Sequence, residues 1–206
     1  MTCRLYLITP PAIEPAAFSS ELERALDAGD VAAFQLRLVG APDDDIRRAA
    51  TKLMPLVQAR GIAFMLDGNA GLAAELGCDG VHLDRPEAYA GARRLLGGTR
   101  MIGVSAGNSR HVAIDAAEDD ADYVSFGPFF PSTTKQSPAF ADPGIIRWWS
   151  ELMEVPCVAV GGMTPANSRS LIEAGADFVA ASGGVWSHAD GAAAAVKAFN
   201  RLFSGA

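Results

Sequence analysis

The sequence predicts a (β/α)8 barrel that folds as a single domain over residues 1–206. Short, almost continuously apolar runs alternate with longer alanine-rich segments, and the alternation occurs eight times. Apolar runs of this kind are typical of parallel strands that are covered on both faces. Eight units in 206 residues leave about 26 residues per unit, the low end for this barrel. A doubly wound open sheet is the competing fold.

The candidate strands are short segments rich in β-branched and other apolar residues. In chain order they are RLYLI (4–8), VAAFQLR (31–37), IAFML (62–66), DGVHL (79–83), RMIGV (100–104), DYVSFG (122–127), CVAV (157–160) and DFVAA (177–181). The turn AGAD (174–177) resembles LGCDG (76–80), as helix-to-strand turns of a repeated unit should.

The segments between the strands have helix signals at both ends. Carboxylates or Thr-Pro at the start and glycine at the end match the asymmetry of helix caps. The segments are AAFSSELERALDAG (16–29), PDDDIRRAATKLMPLVQARG (42–61), RPEAYAGARRLLGG (85–98), NSRHVAIDAAEDD (108–120) and TPANSRSLIEAG (164–175). We therefore expect about eight helices outside the barrel.

Composition narrows the classes of partner. Half of the residues are hydrophobic, 20% are charged, and the net charge is −7. An acidic chain with no basic run argues against nucleic acid or an anionic membrane as a partner, and no apolar run approaches the length of a membrane helix. Cys3, Cys78 and Cys157 give neither a disulfide framework nor a metal spacing, so we expect buried thiols and a cytoplasmic protein.

Glycine pairs follow the seventh and eighth strands. Gly161 and Gly162 stand in VAVGGMTPAN, and in VAASGGVW the pair Gly183 and Gly184 follows Ser182. Barrel enzymes bind phosphate at this corner with bare backbone N–H groups. The pairs predict a phosphate site, and the alternative is that they only make tight turns.

Polar residues mark the strand ends on the other side of the barrel. Gln35 and Arg37 share one face of strand 2, so Arg37 either points inward to meet an anion or pairs with helix carboxylates outside. Asp67 and Asp84 end neighbouring strands, an arrangement suited to Mg²⁺ on a diphosphate, although turn aspartates are common. His82 either faces the helix layer or is catalytic.

The stretch DYVSFGPFFPSTTKQ (122–136) carries the most specific pattern, and with it the chain resembles thiamine phosphate synthase and the related thiazole tautomerases. In that family a strand runs into a Gly-Pro-x-Phe-Pro segment followed by hydroxyls and a lysine. LYLIT, CDGVHL, IGVS and VAVGGMTPAN are similar to further family motifs, so the resemblance covers nearly the whole chain.

The resemblance implies a Mg²⁺-assisted transfer between two small phosphorylated substrates. Hydroxymethylpyrimidine diphosphate loses pyrophosphate, and the nitrogen of a thiazole phosphate captures the pyrimidine. The implied catalytic residues are Arg37, Ser105 and Lys135. The implied substrate-binding residues are Gln35, Asp67, Ser132, Thr134, Gly161, Gly162, Ser182 and Gly183.

The chain departs from the family pattern on the diphosphate side. The family has a lysine where Val39 stands, and its first metal-binding Asp falls on Gly68. Its second metal-binding Asp becomes Glu87, which predicts a relocated Mg²⁺ site on Asp67, Asp84 and Glu87. Gly107 stands where the tautomerases have their acid–base histidine, which argues against tautomerase activity.

Three functions remain open on these residues. The first is a divergent thiamine phosphate synthase. The second is an enzyme acting on another phosphorylated heterocycle, and the third is a non-catalytic protein that binds thiazole phosphate or thiamine phosphate. The adjacent tryptophans of IIRWWSELM (145–153) predict either a homodimer contact or a seam between helix and barrel.

Overall fold

The protein is a closed barrel of eight parallel strands. The computed structural model describes residues 3–132 and 139–205. Each strand pairs in parallel with its sequence neighbours, and the first strand pairs with the eighth. The predicted barrel is confirmed and the open sheet is wrong, because an open sheet would leave two unpaired edges.

The described residues contain eight strands, nine α-helices and one 3-10 helix, and at least one helix follows every strand. The strands are β1 Arg4–Ile8, β2 Ala33–Leu36, β3 Ala63–Asp67, β4 Gly80–Leu83, β5 Met101–Gly107, β6 Tyr123–Phe126, β7 Cys157–Val160 and β8 Phe178–Ala181. The α-helices are α1 Pro15–Leu26, α2 Asp43–Gln58, α3 Ala70–Leu76, α4 Tyr89–Leu96, α5 Arg110–Glu118, α6 Gly144–Leu152, α7 Arg169–Glu173, α8 Gly183–Trp186 and α9 Ala192–Phe203; the 3-10 helix is Pro86–Ala88.

The helix predicted from Thr164 begins later. The structure has only α7, Arg169–Glu173, in this segment. The Asn167 side chain accepts from the Thr164 N–H at 2.8 Å and donates to the Gly162 carbonyl at 3.0 Å. The Ser168 hydroxyl donates to the Thr164 carbonyl at 2.6 Å and so takes the acceptor that the Ser168 N–H would use in a helix. Thr164–Pro165 therefore marks a turn.

Two apolar layers hold the barrel together. The outer layer packs helices on strands around large, fully buried side chains such as Phe34, Phe64 and Trp149. The inner layer fills the barrel. Its buried members are Tyr6, Ala33, Met65, Tyr123, Val158 and Ala180. The inner layer forms a floor on which a site at the carboxyl ends of the strands rests.

Three aspartates repeat one contact at the opposite, amino-terminal end of the barrel. Asp79 accepts from the Phe64 N–H at 2.7 Å, Asp122 from the Ile102 N–H at 2.7 Å, and Asp177 from the Cys157 N–H at 2.8 Å. These aspartates lie just before β4, β6 and β8. Each accepts a hydrogen bond from a backbone N–H near the start of the neighbouring strand, which is β3, β5 or β7. The likeness of AGAD to LGCDG thus has a structural cause: both turns carry this aspartate.

The adjacent tryptophans of α6 divide between core and surface. Trp149 is fully buried against Phe126 and donates its indole N–H to the Val155 carbonyl at 2.7 Å. Trp148 is half-buried, with the Arg110 guanidinium 4.5 Å from its ring centroid. Trp149 therefore lies in the seam between helix and barrel. The homodimer stays a prediction.

No helix among the described residues is long and apolar enough to cross a membrane. The cysteines Cys3, Cys78 and Cys157 are free and buried, as the sequence predicts.

Candidate active site

One cavity of about 620 Å³ opens at the carboxyl ends of the strands. Its volume is within the usual range for small-molecule sites. Residues from every strand or the loop after it contribute to the wall, so the cavity lies over the centre of the barrel. Predicted site residues that line it are Gln35, Arg37, Asp67, Asp84, Ser105, Ser132, Gly161, Gly162, Ser182 and Gly183.

Gln35, Arg37 and Asp67 form one polar wall. Gln35 is buried on β2 and its amide nitrogen donates to an Asp67 carboxylate oxygen at 2.5 Å. The other oxygen of Asp67 lies 3.7 Å from Arg37 Nε. The Arg37 backbone N–H is held by the Thr9 hydroxyl at 2.9 Å. Arg37 therefore points into the cavity, where it faces Asp67, and not outward to the carboxylates of the helices.

The opposite wall is made of backbone at the glycine pairs. Gly162 has φ 67°, and a Cβ on it would lie 2.5 Å from the Pro131 carbonyl oxygen. A Cβ on Gly184 would lie 2.0 Å from the Met163 carbonyl oxygen. Only glycine fits where these loops cross, so bare backbone reaches the cavity. The strand 7 pair leads into a turn, whereas Ser182 directly precedes α8.

Ser182 and Trp186 tie this wall to strand β1. The Ser182 hydroxyl donates to the Thr9 carbonyl at 2.9 Å, and the Trp186 indole donates to the Ile8 carbonyl at 2.6 Å. The four-residue helix α8 is therefore anchored to the barrel rim at both ends. The anchoring fixes the direction of the free N–H groups at the start of this short helix.

The remaining predicted residues fall outside the described cavity wall. Thr134 and Lys135 lie outside the described residues. Glu87 lies on the 3-10 helix and is not among the described residues that line the cavity. Among the described residues, no group of three His, Cys, Asp or Glu side chains could hold a metal ion. The predicted three-carboxylate site is thus not preassembled, and Asp67 with Asp84 are its members at the cavity.

Four further polar residues line the cavity near its floor: Tyr6, His82, Tyr123 and Ser125. His82 turns into the barrel and stacks on Tyr123 with ring centroids 5.6 Å apart, so it does not face the helix layer. Their signal in the sequence is the two-residue period: Ser125 lies two before Gly127, and His82 two before Asp84.

Burial shifts the acidities of the floor tyrosines. Desolvation raises the pKa of Tyr6 well above its ordinary value, and the neighbouring Tyr123 and Asp67 raise it further. Desolvation also raises the pKa of Tyr123, while its hydrogen bond with Tyr6 opposes the shift. Both hydroxyls therefore keep their protons across the physiological range.

Comparison with known proteins agrees with this geometry. The sequence profile of the family described as thiamine monophosphate synthase matches residues 5–185. The chain belongs to this family. It is 56% identical over 204 residues to the thiamine-phosphate synthase of Rhodospirillum centenum, with 98% of this chain and 99% of the relative covered. It is 49% identical over 209 residues to that of Hyphomonas neptunium, with coverages of 97% and 93%.

A solved member of the thiamine monophosphate synthase family has the same fold. Thiamine phosphate pyrophosphorylase from Pyrococcus furiosus superposes with a TM-score of 0.83 at 25% identity, covering 98% of this chain and 96% of that one. The resemblance drawn from the strand 6 motif is therefore confirmed at the level of family and fold. The individual site residues stay predictions.

Proposed function

We propose that the protein is a thiamine phosphate synthase. It joins hydroxymethylpyrimidine diphosphate and thiazole phosphate, giving thiamine phosphate and pyrophosphate. The proposal rests on one observation: a single cavity has two walls of different chemistry. The Gln35–Arg37–Asp67 wall is polar and charged, whereas the glycine wall offers backbone N–H groups. Two walls of different chemistry suit two phosphorylated substrates that must meet.

The glycine wall is proposed to bind the thiazole phosphate. Backbone N–H groups at Gly162, Gly183 and Gly184 are accessible because side chains are absent there. Such groups hold phosphate oxygens without needing a cation. Ser132 and Ser182 also line this region, and Thr134 is proposed to join them. A phosphate held here places the thiazole ring toward the centre of the barrel.

The polar wall is proposed to bind the pyrimidine diphosphate. Arg37 supplies a cation whose side chain is only 17% exposed, so its charge is poorly screened. Ser105 and Lys135 are proposed as further diphosphate contacts. Gln35 is proposed to hold the pyrimidine ring. When the methylene C–O bond breaks, pyrophosphate leaves with the bonding electrons, and these groups stabilise its charge.

The C–N bond then forms between that methylene carbon and the thiazole ring nitrogen. The nitrogen supplies its lone pair, so neither step consumes a proton. The protein contributes by holding both rings in one cavity, which converts an encounter of two solutes into a reaction within one complex. Phe129 and Phe130 stand beside the glycine wall, and Phe129 is buried in the core between helices and strands, which supports that wall from behind.

A magnesium ion fits the residues present. Asp67 and Asp84 both line the cavity, and Mg²⁺ is typically bound by one or two carboxylates together with substrate phosphates and waters. When bound, the ion would neutralise charge on the diphosphate leaving group. Arg37 and the two carboxylates are proposed to position that group. Three buried, free thiols agree with the proposed cytoplasmic location.

Direct product formation tests the proposal. Purified protein is mixed with hydroxymethylpyrimidine diphosphate, thiazole phosphate and Mg²⁺, and thiamine phosphate is quantified by chromatography. We expect turnover that EDTA abolishes and that Arg37→Ala and Lys135→Ala each strongly reduce. Absence of turnover, together with thermal stabilisation by thiazole phosphate alone, would contradict the synthase and favour a binding protein.

A further inference from the structure

Thr9, the first residue after β1, makes hydrogen bonds to both the polar wall and the glycine wall. Its hydroxyl accepts from the Arg37 N–H at 2.9 Å and donates to the Arg37 carbonyl at 2.9 Å. Its carbonyl accepts from the Ser182 hydroxyl at 2.9 Å. Thr9 is 1% exposed and is not among the described residues that line the cavity. Any effect of Thr9 on a ligand therefore passes through the residues that it contacts.

The hydroxyl of Thr9 takes the place of its own carbonyl in the pairing of two strands. The Thr9 N–H donates to the Gln35 carbonyl at 3.0 Å, which continues the parallel pairing of β1 with β2. In a regular parallel ladder, the Thr9 carbonyl would then accept from the N–H two residues further along β2, which is that of Arg37. Here the Arg37 N–H donates to the hydroxyl. The Thr9 carbonyl is thus left for Ser182, which follows β8 on the other side of β1.

The contact with the hydroxyl fixes the main chain of Arg37. Arg37 is the first residue after β2, and both polar groups of its main chain bond the Thr9 hydroxyl. Its side chain is 17% exposed, with Nε 3.7 Å from Asp67. The rotamers open to a side chain depend on the backbone angles of its residue. The Thr9 hydroxyl therefore sets the direction in which the Arg37 guanidinium enters the cavity.

The contact with the carbonyl fixes the start of α8. A serine hydroxyl has a single proton, and the proton of Ser182 is donated to the Thr9 carbonyl. The other end of α8 is held separately, by the bond from the Trp186 indole to the Ile8 carbonyl. The position of the glycine wall at Ser182 therefore depends on a Thr9 carbonyl that no strand neighbour occupies.

We propose that Thr9 is a positioning residue for both phosphate-binding walls: its hydroxyl fixes Arg37 and, by taking the Arg37 N–H, leaves its carbonyl for Ser182. The identity of the two ligands rests on the proposed function, whereas the contacts of Thr9 are present without them. Serine could replace threonine in this role, because its hydroxyl also donates and accepts. Valine has nearly the shape of threonine but no hydroxyl, so it could not.

Calorimetry with each ligand alone tests the positioning role without turnover. With Mg²⁺ present, we expect Thr9→Val to weaken binding of inorganic pyrophosphate roughly tenfold, about the effect of one lost hydrogen bond. The Arg37 N–H then returns to the carbonyl at position 9 and competes with Ser182, so thiazole phosphate should bind roughly threefold more weakly. Thr9→Ser should restore both affinities. Unchanged affinity for either ligand in Thr9→Val would overturn the joint role.

Ser19→Ala separates positioning from a general loss of stability. Ser19 on α1 is also buried, its hydroxyl donates to the Ala16 carbonyl at 2.7 Å, and it is not among the described residues that line the cavity. Ser19→Ala and Thr9→Val should both lower the melting temperature, because each removes a buried hydroxyl that is hydrogen-bonded. Only Thr9→Val should weaken the two ligands. Equal losses of affinity in the two folded variants would leave Thr9 a structural role alone.

A double-mutant cycle tests whether the Thr9 hydroxyl acts through Arg37. Substitutions at residues that act together have effects that do not add. In an Arg37→Ala background, we therefore expect Thr9→Val to cause a further loss of pyrophosphate affinity of about twofold or less. A further loss as large as that in the unaltered background would overturn the action through Arg37.

Nitrogen NMR of the arginine side chains tests the same contact without any ligand. The Arg37 Nε–H signal is assigned by its absence from the spectrum of Arg37→Lys. We expect this signal to shift in Thr9→Val and to return in Thr9→Ser, because the hydroxyl sets the position of Nε beside Asp67. An unshifted signal in Thr9→Val would overturn the proposal, even in a protein that proves inactive. Failure of pyrophosphate to bind the unaltered protein would instead contradict the proposed function, and the NMR result would still decide the role of Thr9.

Discussion

The Gln35 amide nitrogen donates to Asp67 at 2.5 Å, and this contact fixes which end of the amide faces the cavity. A carbonyl oxygen turned toward the carboxylate would be repelled, so the nitrogen must point at Asp67. Within the described chain, no donor reaches the Gln35 carbonyl oxygen. Every fully buried side-chain oxygen there has a hydrogen-bond partner, so the Gln35 oxygen must be open to the cavity. It is therefore an accessible acceptor, suited to an N–H group on a ring.

The orientation of Gln35 predicts a contrast between two variants of Asp67. Asparagine at this position can still accept from the Gln35 nitrogen, but alanine cannot. Without Mg²⁺, so that the proposed metal role of Asp67 does not enter, we expect Asp67→Ala to weaken binding of hydroxymethylpyrimidine roughly tenfold by calorimetry, and Asp67→Asn to weaken it roughly two- to threefold. Binding of thiazole phosphate, measured in the same way, is the internal control. Equal effects of both variants on both substrates would contradict the orienting role.

The position of the carboxylates predicts which of them affects magnesium. Asp84 lines the cavity and Glu87 does not. We expect Asp84→Asn to weaken Mg²⁺-dependent binding of inorganic pyrophosphate about tenfold by calorimetry, since one of few protein ligands is lost. Glu87→Gln removes the same charge three residues away and should leave that affinity unchanged. The reverse result would restore Glu87 as the metal ligand.

The crossing of two loops at Gly184 predicts a local loss of phosphate affinity. A methyl group there would lie 2.0 Å from the Met163 carbonyl oxygen, so backbone must move. We expect Gly184→Ala to weaken binding of thiazole phosphate at least tenfold and to lower the melting temperature. Gly98→Ala is the matched control, because a Cβ at Gly98 meets nothing within 4 Å. Unchanged thiazole phosphate affinity in Gly184→Ala would remove this corner from the site.

The barrel could be predicted from sequence because its signals are local. Each strand is a short apolar run, and three acidic residues begin α2 at Asp43, as the helix dipole favours. Some strands end a few residues beyond their predicted limits, because polar residues continue the pairing. In β5, for example, Ser105 and Gly107 still pair with β6, so the strand runs beyond Val104.

The floor of the site could not be predicted, because it depends on contacts between distant strands. Tyr6 and Tyr123 are 117 positions apart, yet their hydroxyls meet at the barrel axis. Room for the Tyr123 ring comes from Gly103 on the neighbouring strand, where a Cβ would lie 1.9 Å from the ring. No periodicity within one strand reveals such pairs. The carboxyl ends of the strands, by contrast, can be recognised in the sequence, because Asp, Ser and Gly follow the apolar runs there.

The aspartates at the amino-terminal end of the barrel predict a stability effect without a catalytic one. Asp177 accepts from the Cys157 N–H at 2.8 Å and lies at the end opposite the cavity. We expect Asp177→Ala to lower the free energy of unfolding by about 1–3 kcal/mol, the usual cost of losing a charged hydrogen-bond partner. Glu151→Ala, an equal charge change on the exposed end of α6, should be nearly neutral. A large loss of turnover in folded Asp177→Ala protein would contradict a purely structural role.

The buried thiols predict a loss of stability at alkaline pH. Burial raises the pKa of Cys3 and Cys157 to about 12 and that of Cys78 to about 11, from an ordinary value of 9.0. Above pH 9 the unfolded chain has released these protons while the folded chain still holds them. Unfolding then releases protons, so the free energy of unfolding falls as pH rises, by at most about 1.4 kcal/mol per pH unit for each thiol.

Urea unfolding under reducing conditions at pH 7.5 and pH 9.5 measures this fall. Cys157→Ala should be less stable at both pH values, because it leaves a cavity, but should lose less stability between them than the unaltered protein does. The thiols should also react slowly with a disulfide reagent in the folded protein and rapidly in urea, since burial suppresses the thiolate. If both proteins lose the same stability between the two pH values, Cys157 is not a source of the alkaline sensitivity. The buried tyrosines of the cavity floor would then be tested with Tyr123→Phe.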